Sequence, residues 1–426
     1  MDLLLESAQL SGTVPVPASK SVAHRAYICA ALAADRTDII CNSDSVDIRA
    51  TRECLTRLAV AAEPGNQADI ILDCKESGST LRFLLPLACV LSHRLQRPIQ
   101  FTGADHLAKR PLSPLVEELC AHGAEISSPG TFPLIVSGEL SPGIYTLPGN
   151  ISSQYISGLL LALPLLSEDS EIHITGTRES VSYIGLTLAM QRKFHISIQE
   201  TSYGYFVPGG QKYRSPGTLT IEADWSSAAF WLAAGAIGTT APVLTGLSLD
   251  SAQGDRAILR ILESFGATIR SDENGITIQK PTPLCGTTVD ASDVPDLVPI
   301  LAVVAAHAEG KTVFTHAGRL RIKESDRIVS TEELLQRLGV QTESTEDSLI
   351  VYGSASVTDR PSAVSPVTIR SFNDHRIAMS AAIAASVSPV SVLLTQAEAV
   401  SKSYPTFYDH YKALGGQATP CTPERS

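Results

Sequence analysis

Six stretches of small apolar residues, each apolar nearly all round, recur along the chain at intervals of 58, 75, 72, 69 and 80 residues. A segment without a polar face is typical of a helix that is buried on every side. Each stretch begins with Ser, Asp or Asn, the residues that cap helix N-termini. We therefore predict six buried helices, with starts at Ser19, Ser77, Ser152, Asp224, Asp293 and Asn373.

A second series of segments alternates with the first, and these are amphipathic. They begin near residues 55, 119, 190, 262, 335 and 411, and the clearest of them end at Gly123, Gly266 and Gly339. A glycine just past the last periodic residue commonly ends a helix, and a strand is expected after it. Short β-branched runs such as DIILDC, PLIVSG, TLTIEA and GITIQK predict further strands.

The two series together predict a unit of two helices and several strands that occurs six times. The alternative is that helical periodicity and small residues recur by chance, and the regular spacing along the whole chain disfavours it. A chain of 426 residues is too long for one compact unit. An α/β protein of two domains, each with three units, fits this length.

Composition limits the classes of protein that this chain can belong to. No apolar run reaches the roughly 18 residues that span a bilayer. Asp2 and Glu6 in the first ten residues are unlike the basic start of a signal peptide. The eight cysteines form no CxxC pair, which favours reduced thiols over disulfides and gives no support for a zinc site. We expect a cytoplasmic protein that does not bind membranes.

The net charge of −11 is unlike that of a general nucleic-acid binder. Cations nevertheless gather at the starts of the buried helices, at Lys402, and in two runs, GADHLAKRPLSPL (103–115) and GRLRIKESDRI (318–328). One such run is usually a solvated helix face, and one such helix start is usually a cap with a nearby arginine. Because helix N-termini bind phosphate and carboxylate, the combination predicts a site for several phosphates between two domains.

Eight short motifs, in order along the chain, carry a specific resemblance. They are SKSVAHRA, SGSTLR, AKRPL, PGNISSQY, DVPD, RIKESDR, FNDHRIAM and SKSYPTF, between residues 19 and 407. Together they resemble the 5-enolpyruvylshikimate-3-phosphate (EPSP) synthase family. The resemblance implies transfer of the enolpyruvyl group of phosphoenolpyruvate to the 5-hydroxyl of shikimate 3-phosphate, with release of phosphate. It implies no metal and no organic cofactor.

The resemblance also implies a fold. It is an inside-out α/β barrel of two domains, built from six βαβαββ repeats, with the active site in the interdomain cleft. The first domain is expected at residues 18–222, with most of the shikimate 3-phosphate contacts. The second is expected at residues 1–17 and 223–426, with the catalytic acids and most phosphoenolpyruvate contacts. A monomer is expected.

The family motifs imply two sets of binding residues. Those for shikimate 3-phosphate are Lys20, Ser21, Arg25, Ser152, Ser153, Gln154, Ser180, Tyr183, Asp296 and Lys323. Those for phosphoenolpyruvate are Lys20, Gly78, Arg82, Arg110, Gln154, Arg327, Arg376 and Lys402. Three further candidates near these ligands are Glu76, Arg319 and His375.

The resemblance gives Asp296 the role of the base that takes the proton from the 5-hydroxyl. Asp296 could instead be a helix cap, and His375 could be a core histidine. Glu324 and Lys20 match the groups that protonate C3 of phosphoenolpyruvate, and the sequence does not decide between them. Gly78 leaves room for glyphosate, so we expect this herbicide to compete with phosphoenolpyruvate.

Three positions depart from the common family pattern. Glu76 and Arg319 stand where many members have Asn, and Val181-Ser182 stands where many have Lys-Pro. We expect these differences to change affinities rather than the reaction, and Glu76 to weaken glyphosate binding.

Two other functions are alternatives for this sequence. UDP-N-acetylglucosamine enolpyruvyl transferases open the first helix with Lys-Asn and use a loop cysteine. Here the pair is Lys20-Ser21, and the loop around Lys109 and Arg110 has no cysteine. A non-catalytic repeat scaffold for phosphorylated ligands would need the helix starts but not Asp296 and Glu324.

Overall fold

The computed structural model describes residues 1–279, 283–354 and 365–421. The chain forms two compact units, which are described separately. The contiguous unit is Lys20–Ile221, and the discontinuous unit is Met1–Ser19 together with Glu222–Ser426. Lys280, at the end of the predicted strand GITIQK, lies outside the described residues.

The α-helices and strands alternate along most of the described chain. The helices are α1 (Lys20–Leu32), α2 (Val46–Ala61), α3 (Gly78–Leu95), α4 (Asp105–Ala108), α5 (Leu115–Ala121), α6 (Ser153–Ala162), α7 (Val181–Lys193), α8 (Trp225–Ile237), α9 (Ile258–Ser264), α10 (Val298–Ala306), α11 (Arg327–Arg337), α12 (His375–Ser386) and α13 (Phe407–Ala413). The strands are β1 (Asp2–Glu6), β2 (Gly12–Pro15), β3 (Asp38–Ile40), β4 (Ile70–Asp73), β5 (Ile99–Thr102), β6 (Ala124–Ser127), β7 (Leu134–Gly138), β8 (Ile144–Pro148), β9 (Ser170–Thr175), β10 (Gln199–Glu200), β11 (Gly204–Val207), β12 (Thr218–Thr220), β13 (Pro242–Thr245), β14 (Thr268–Asp272), β15 (Gly275–Gln279), β16 (Thr288–Asp290), β17 (Gly310–Thr315), β18 (Gln341–Ser344), β19 (Leu349–Gly353), β20 (Val367–Arg370), β21 (Val392–Thr395) and β22 (Gln417–Cys421).

Four-stranded sheets of one common order recur in both units. In the contiguous unit the described strands form β4-β5-β7-β6, β8-β9-β11-β10 and the two-stranded β3-β12. In the discontinuous unit they form β2-β13-β15-β14, β16-β17-β19-β18 and β20-β21-β1-β22. In each four-stranded sheet the first two strands are parallel, and the remaining pairings are antiparallel.

The N-terminal strands complete sheets whose other strands come from the second half of the chain. β1 lies between β21 and β22, with Leu3 opposite Leu394 on one side and Pro420 on the other. β2 runs parallel to β13, with Val14 opposite Leu244. The alternating burial of β1, in which Leu3 and Leu5 are buried, matches a strand with one face in the core.

The predicted buried helices form the core of each unit. They are α1, α3 and α6 in the contiguous unit and α8, α10 and α12 in the discontinuous unit. Helix α3 packs against α6, and α8, α10 and α12 pack against one another. Ser77, Ser152 and Asp224 each cap the helix that follows, as predicted.

Two predicted helix starts were wrong. Asp293 is not a cap, because a 3-10 helix at Pro295–Leu297 comes first and α10 begins only at Val298. Pro295 disfavours helical backbone at the residue before it, and Val294 indeed has φ −129° and ψ 40°. Asn373 is also not a cap, since the Asp374 side chain accepts the N–H of Arg376 at the start of α12.

The glycine stops of the amphipathic helices are confirmed. Gly123, Gly266 and Gly339 have φ values of 95°, 97° and 76°, in the left-handed region that glycine enters most readily. A strand begins within two residues of each, at β6, β14 and β18.

Among the described residues, no helix is both long and apolar enough to cross a bilayer.

Candidate functional site

A group of buried and half-buried charges in the discontinuous unit surrounds Arg327, the first residue of α11. The Arg327 guanidinium is 1% exposed and contacts three carboxylates: Asp296 at 2.7 Å, Glu324 at 2.7 Å and Asp374 at 2.8 Å. We call Asp296, Glu324, Arg327, Asp374 and Arg376 the carboxylate–arginine cluster. Such partners stabilise a buried cation, because removing it from water is costly. Although burial opposes the charge, Asp374, Glu324 and Asp296 hold the pKa of Arg327 well above its usual value.

Asp296 is shared by two arginines. Its Oδ1 accepts from Arg327, its Oδ2 accepts from Arg376 Nη2 at 2.7 Å, and its backbone carbonyl accepts from Arg376 Nη1 at 3.1 Å. Burial raises the pKa of Asp296, but Arg376, Lys323 and Arg327 outweigh it and hold that pKa well below its usual range. Asp296 lies inside the 3-10 helix rather than at its N-cap, so the alternative of a helix cap was wrong. It is an ionised carboxylate between cations.

Lys323 also faces Asp296, with its Nζ 3.9 Å from Oδ1. Burial lowers the pKa of Lys323 to about 8, and the nearby Arg319 and Arg327 lower it while Asp296 opposes them. Lys402, at the end of a 3-10 helix (Ala397–Lys402), is buried and donates to the carbonyl of Asn373 at 2.6 Å. Lys323 therefore lies beside Asp296, and Lys402 lies beside the segment that leads into α12.

His375 and Arg319 complete the predicted residues of this unit. His375 is buried, with Nδ1 4.0 Å from Asp374 Oδ1. Arg319 lies in the 3-10 helix Gly318–Ile322, close enough to Lys323 to affect its pKa. The run GRLRIKESDRI is not a solvated helix face, since it consists of that 3-10 helix and the first residues of α11, with Leu320 and Arg327 buried.

In the contiguous unit, Gly78, Arg82, Arg110 and Gln154 lie together, and we call them the arginine cluster. Arg82 donates to Gln154 Oε1 at 3.3 Å and to the carbonyl of Pro111 at 3.0 Å. A Cβ on Gly78 would lie 2.5 Å from Arg82 Nη1 and 2.7 Å from Arg110 Nη1. Both guanidiniums therefore crowd the N-terminus of α3, where a side chain would displace them.

Arg25 is buried among neutral acceptors. It donates to Thr187 Oγ1 at 2.7 Å and to the carbonyls of Ser21 and Tyr183, each at 2.8 Å. The Phe83 ring lies 4.8 Å from its guanidinium carbon. Burial lowers the pKa of Arg25 to about 10, with Tyr183 opposing it. The hydrogen bonds from this cation to Ser21 and Tyr183 are made to their backbone carbonyls.

The other predicted residues of the contiguous unit lie at helix starts. Lys20, the first residue of α1, donates to Asp47 Oδ2 at 2.9 Å. Ser152 caps α6 by accepting the N–H of Gln154 at 3.3 Å, and Ser153 is the first, buried residue of that helix. Ser180, before α7, is buried with a left-handed φ of 52°.

Glu76, one of the departures from the common family pattern, lies beside a histidine. Its Oε2 is 3.3 Å from His106 Nε2, which is a cationic neighbour when protonated.

Sequence reasoning missed three carboxylates that the structure places beside these cations. Asp47 pairs with Lys20, and Asp374 holds Arg327. Asp255 is buried, and burial, then the charge of Asp296, raises its pKa, while the charge of Arg376 lowers it. Asp374 lies within the motif FNDHRIAM, and this position could have indicated that it belongs to the site. Asp47 and Asp255 carry no such signal, because only tertiary packing brings them to their partners.

The match to known proteins covers nearly the whole chain. A family model described as EPSP synthase (3-phosphoshikimate 1-carboxyvinyltransferase) matches residues 5–411. The chain belongs to the EPSP synthase family. Similar curated members, each named 3-phosphoshikimate 1-carboxyvinyltransferase, come from Clostridium kluyveri (39% identical, covering 97% of both chains) and Clostridium acetobutylicum (40% identical, covering 96% of both).

Solved structures agree with this family assignment. An EPSP synthase from Acinetobacter baumannii has a TM-score of 0.76 at 26% identity. The match covers 98% of this chain and 100% of that chain. The enolpyruvyl transferase NikO from Streptomyces tendae has a TM-score of 0.74 at 18% identity and covers 98% and 99% of the two chains. The second likeness shows the fold alone.

Proposed function

We propose that this EPSP synthase family member transfers the enolpyruvyl group of phosphoenolpyruvate to the 5-hydroxyl of shikimate 3-phosphate and releases phosphate. The observation that carries this proposal is that Asp296, the candidate base, lies between Arg327 and Arg376, the candidate donor-binding cations, at 2.7 Å from each. A base and the cations for a trianionic donor are thus adjacent. The reaction requires that adjacency, because the hydroxyl must attack C2 of the bound donor.

Donor binding then works by an exchange of partners. The phosphate and carboxylate of phosphoenolpyruvate take guanidinium hydrogen bonds that Asp296 and Glu324 accept in the free protein. Losing these bonds raises the pKa of Asp296, because the cations are what hold it down. The donor itself therefore makes Asp296 a better base for the 5-hydroxyl proton.

The other residues proposed to bind the substrates belong to the contiguous unit. Arg25, Ser152, Ser153 and Lys20 at the starts of α1 and α6 are the proposed binding set for shikimate 3-phosphate, with Gln154, Ser180 and Tyr183 completing it. Arg82 and Arg110 beside Gly78 are the proposed donor contacts of this unit. Glu324 and Lys20 both stay candidates for protonating C3, and the same groups acting in reverse assist expulsion of phosphate.

The proposal extends to the fold and to the state of the enzyme. Five sheets share one strand order. This common order supports six βαβαββ repeats arranged as an inside-out barrel of two domains. Among the described strands, the sixth repeat is represented by the two-stranded sheet β3-β12.

We also expect a cytoplasmic monomer, and light scattering should give the mass of one chain.

The direct test is release of phosphate on mixing both substrates. We expect turnover by the wild type, and a fall of roughly 10² to 10⁴-fold for Asp296→Asn, the range for losing a general base. Asp293→Asn changes an exposed acid three residues away and should turn over like the wild type. Near-normal turnover of Asp296→Asn would remove Asp296 as the base. Binding of both substrates without phosphate release by the wild type would favour the scaffold instead.

A further inference from the structure

Four buried side chains from α1, α2 and the start of α3 form one chain of hydrogen bonds in the contiguous unit. His24 Nδ1 lies 2.7 Å from Thr51 Oγ1, and Thr51 Oγ1 lies 2.7 Å from Thr80 Oγ1. The Thr80 hydroxyl donates to Ser77 Oγ at 2.7 Å. None of the four is more than 1% exposed. We call these residues the hydroxyl chain, and polar groups buried together in this way require an explanation.

The direction of each hydrogen bond in the hydroxyl chain follows from the number of protons. A hydroxyl group has one proton to donate, and that of Thr80 is used on Ser77. Thr51 therefore donates to Thr80, and the Nδ1–H of His24 donates to Thr51. Ser77 Oγ also accepts the backbone N–H of Thr80 at 3.2 Å, which is the capping bond of α3. The chain thus runs in one direction, from α1 through α2 to the cap of α3.

His24 is a neutral donor in this chain. Burial, then the charges of Lys20 and Arg25, hold the pKa of His24 well below its usual value. Its Nε2 is buried and has no hydrogen-bond partner among the described residues. The bond from Nδ1 therefore indicates that this imidazole fixes positions rather than carries charge.

The hydroxyl chain begins one helical turn after Lys20. On α1, Lys20 lies four residues before His24. On α2, Asp47 lies four residues before Thr51. Residues at this spacing share a helix face, so the Lys20–Asp47 ion pair, at 2.9 Å, is followed one turn later by the bond from His24. The position of the Lys20 ammonium depends on how α1 packs against α2, and both links join these two faces.

The other end of the hydroxyl chain reaches the first turn of α3. Thr80 lies between Gly78 and Arg82 there, where the arginine cluster gathers. Thr51 accepts from α1, which begins at Lys20, and donates to α3, which carries Arg82. A hydrogen bond requires a narrow range of distance and angle, whereas apolar contacts are non-directional. The Thr51 hydroxyl is therefore a direct polar link between the two helices.

We propose that Thr51 is a further positioning residue: through its hydroxyl it sets the start of α1, with Lys20, relative to the start of α3, with Arg82. This inference rests on the proposed function, in which Lys20 and Arg82 both bind phosphoenolpyruvate. Because Thr51 is fully buried and its hydroxyl is used within the chain, it acts through these two cations. Cations that are displaced from the donor bind it less well.

The test compares the KM for phosphoenolpyruvate of variants with that of the wild type, at saturating shikimate 3-phosphate. Thr51→Val keeps the shape of the side chain but can neither accept nor donate, so the KM should rise by about tenfold or more. Thr51→Ser keeps the hydroxyl and should keep a KM close to that of the wild type. Thr56→Val is the matched control on the same helix, because Thr56 is exposed and its hydroxyl donates to the carbonyl of Arg52 at 2.9 Å. Its KM should equal that of the wild type.

The KM separates positioning from a loss of stability. A variant that is partly unfolded has fewer active molecules, so its apparent kcat falls while its KM stays unchanged. Thr80→Val breaks the hydroxyl chain at the next link and should also raise the KM, which keeps the inference testable if Thr51→Val does not fold. A wild-type KM in Thr51→Val, or in Thr80→Val where that variant alone folds, would overturn the inference while the wild type still turns over.

Nuclear magnetic resonance separates this inference from the proposed function. In ¹⁵N-labelled wild type, the ring signals of His24, identified by their absence from His24→Gln, should be those of a neutral imidazole with its proton on Nδ1. The backbone amide signals of Lys20 and Gly78 should both shift in Thr51→Val, and neither should shift in Thr56→Val. These results support the inference even without turnover. A proton on Nε2 of His24 alone, or amide signals that stay unchanged in Thr51→Val, would refute it even with turnover.

Discussion

At the scale of single residues, the two units hold buried arginines in opposite ways. The hydrogen-bond partners of Arg25 are all carbonyl or hydroxyl oxygens. Its pKa is lowered to about 10 because it is buried without a paired carboxylate. Arg327 contacts three carboxylates. The first arrangement leaves a charge that no carboxylate neutralises, which suits the role proposed for Arg25 in binding shikimate 3-phosphate. In the second, the proposed binding of phosphoenolpyruvate requires an exchange of partners.

Gly78→Ala tests the arginine cluster at this scale. The new methyl group would lie within 2.7 Å of one guanidinium nitrogen of Arg82 and one of Arg110, so both ends must move. The ends of arginine side chains are flexible and can move at little energetic cost. We therefore expect the free energy of unfolding to stay within about 1 kcal/mol of that of the wild type. The KM for phosphoenolpyruvate should rise at least tenfold, because misplaced cations weaken the bound donor.

Gly185→Ala is the matched control for that change. Gly185 is also helical, in α7, and a Cβ there would meet nothing within 4 Å. Its KM should equal that of the wild type, and its stability should rise by roughly 0.5–1 kcal/mol. An unchanged KM for Gly78→Ala would mean that the two guanidiniums do not bind the donor near α3.

Residue identities in the site were predictable only where a motif carried them. RIKESDR and FNDHRIAM indicated Glu324, Arg327 and Arg376, and the structure places these three in one cluster. The partners Asp47 and Asp255 were not predictable, because each is an isolated acid whose contact depends on how distant helices pack. Spacing along a chain carries no information about such contacts.

At the scale of elements, helix starts determine where the charges of the discontinuous unit lie. Asp326 caps α11 by accepting the N–H groups of Ile328 and Val329, each at 3.1 Å, and its other oxygen contacts Arg321 at 3.0 Å. This cap fixes the backbone of the next residue, Arg327. Helix α11 and the carboxylate–arginine cluster therefore both depend on the Asp326 side chain.

Asp326→Ala should lower the free energy of unfolding by about 1–2 kcal/mol, the usual cost of losing a cap. Asp326→Asn keeps the acceptor and should lose less than half of that amount. Urea denaturation followed by circular dichroism measures both. Equal stability of the alanine variant and the wild type would show that α11 begins independently of this cap.

The elements themselves were largely predictable, for reasons that lie in local chemistry. Segments apolar all round predicted the buried helices, and left-handed glycines ended the amphipathic ones. The start of α10 was not predicted, because Pro295 displaces the helix beyond Asp293. Proline overrides a capping signal, since it restricts the residue before it.

At the scale of the molecule, the units differ in how their sheets are made. Every sheet of the contiguous unit uses strands from within residues 20–221. Two sheets of the discontinuous unit need β1 and β2 from the first 19 residues. The two units should therefore respond differently to being expressed as fragments.

Residues 20–221 expressed alone should unfold cooperatively, as a domain with its own core does. Residues 222–426 alone should not, because β1 is an interior strand whose loss leaves β21 and β22 without a shared neighbour. Adding a peptide of residues 1–19 should restore a cooperative thermal transition. Cooperative unfolding of 222–426 without the peptide would show that β1 and β2 are dispensable.

The interior place of β1 has a consequence for biosynthesis. β1 ends at Glu6 and β21 begins at Val392, so its partners leave the ribosome roughly 400 residues later. At roughly 5–20 residues per second this delay is about 20–80 s. During that time Leu3 and Leu5 belong to a segment with no completed sheet to join, while the intervening unit has every strand it needs. Translation rate and chaperone access should therefore affect the yield of the discontinuous unit more than that of the contiguous one.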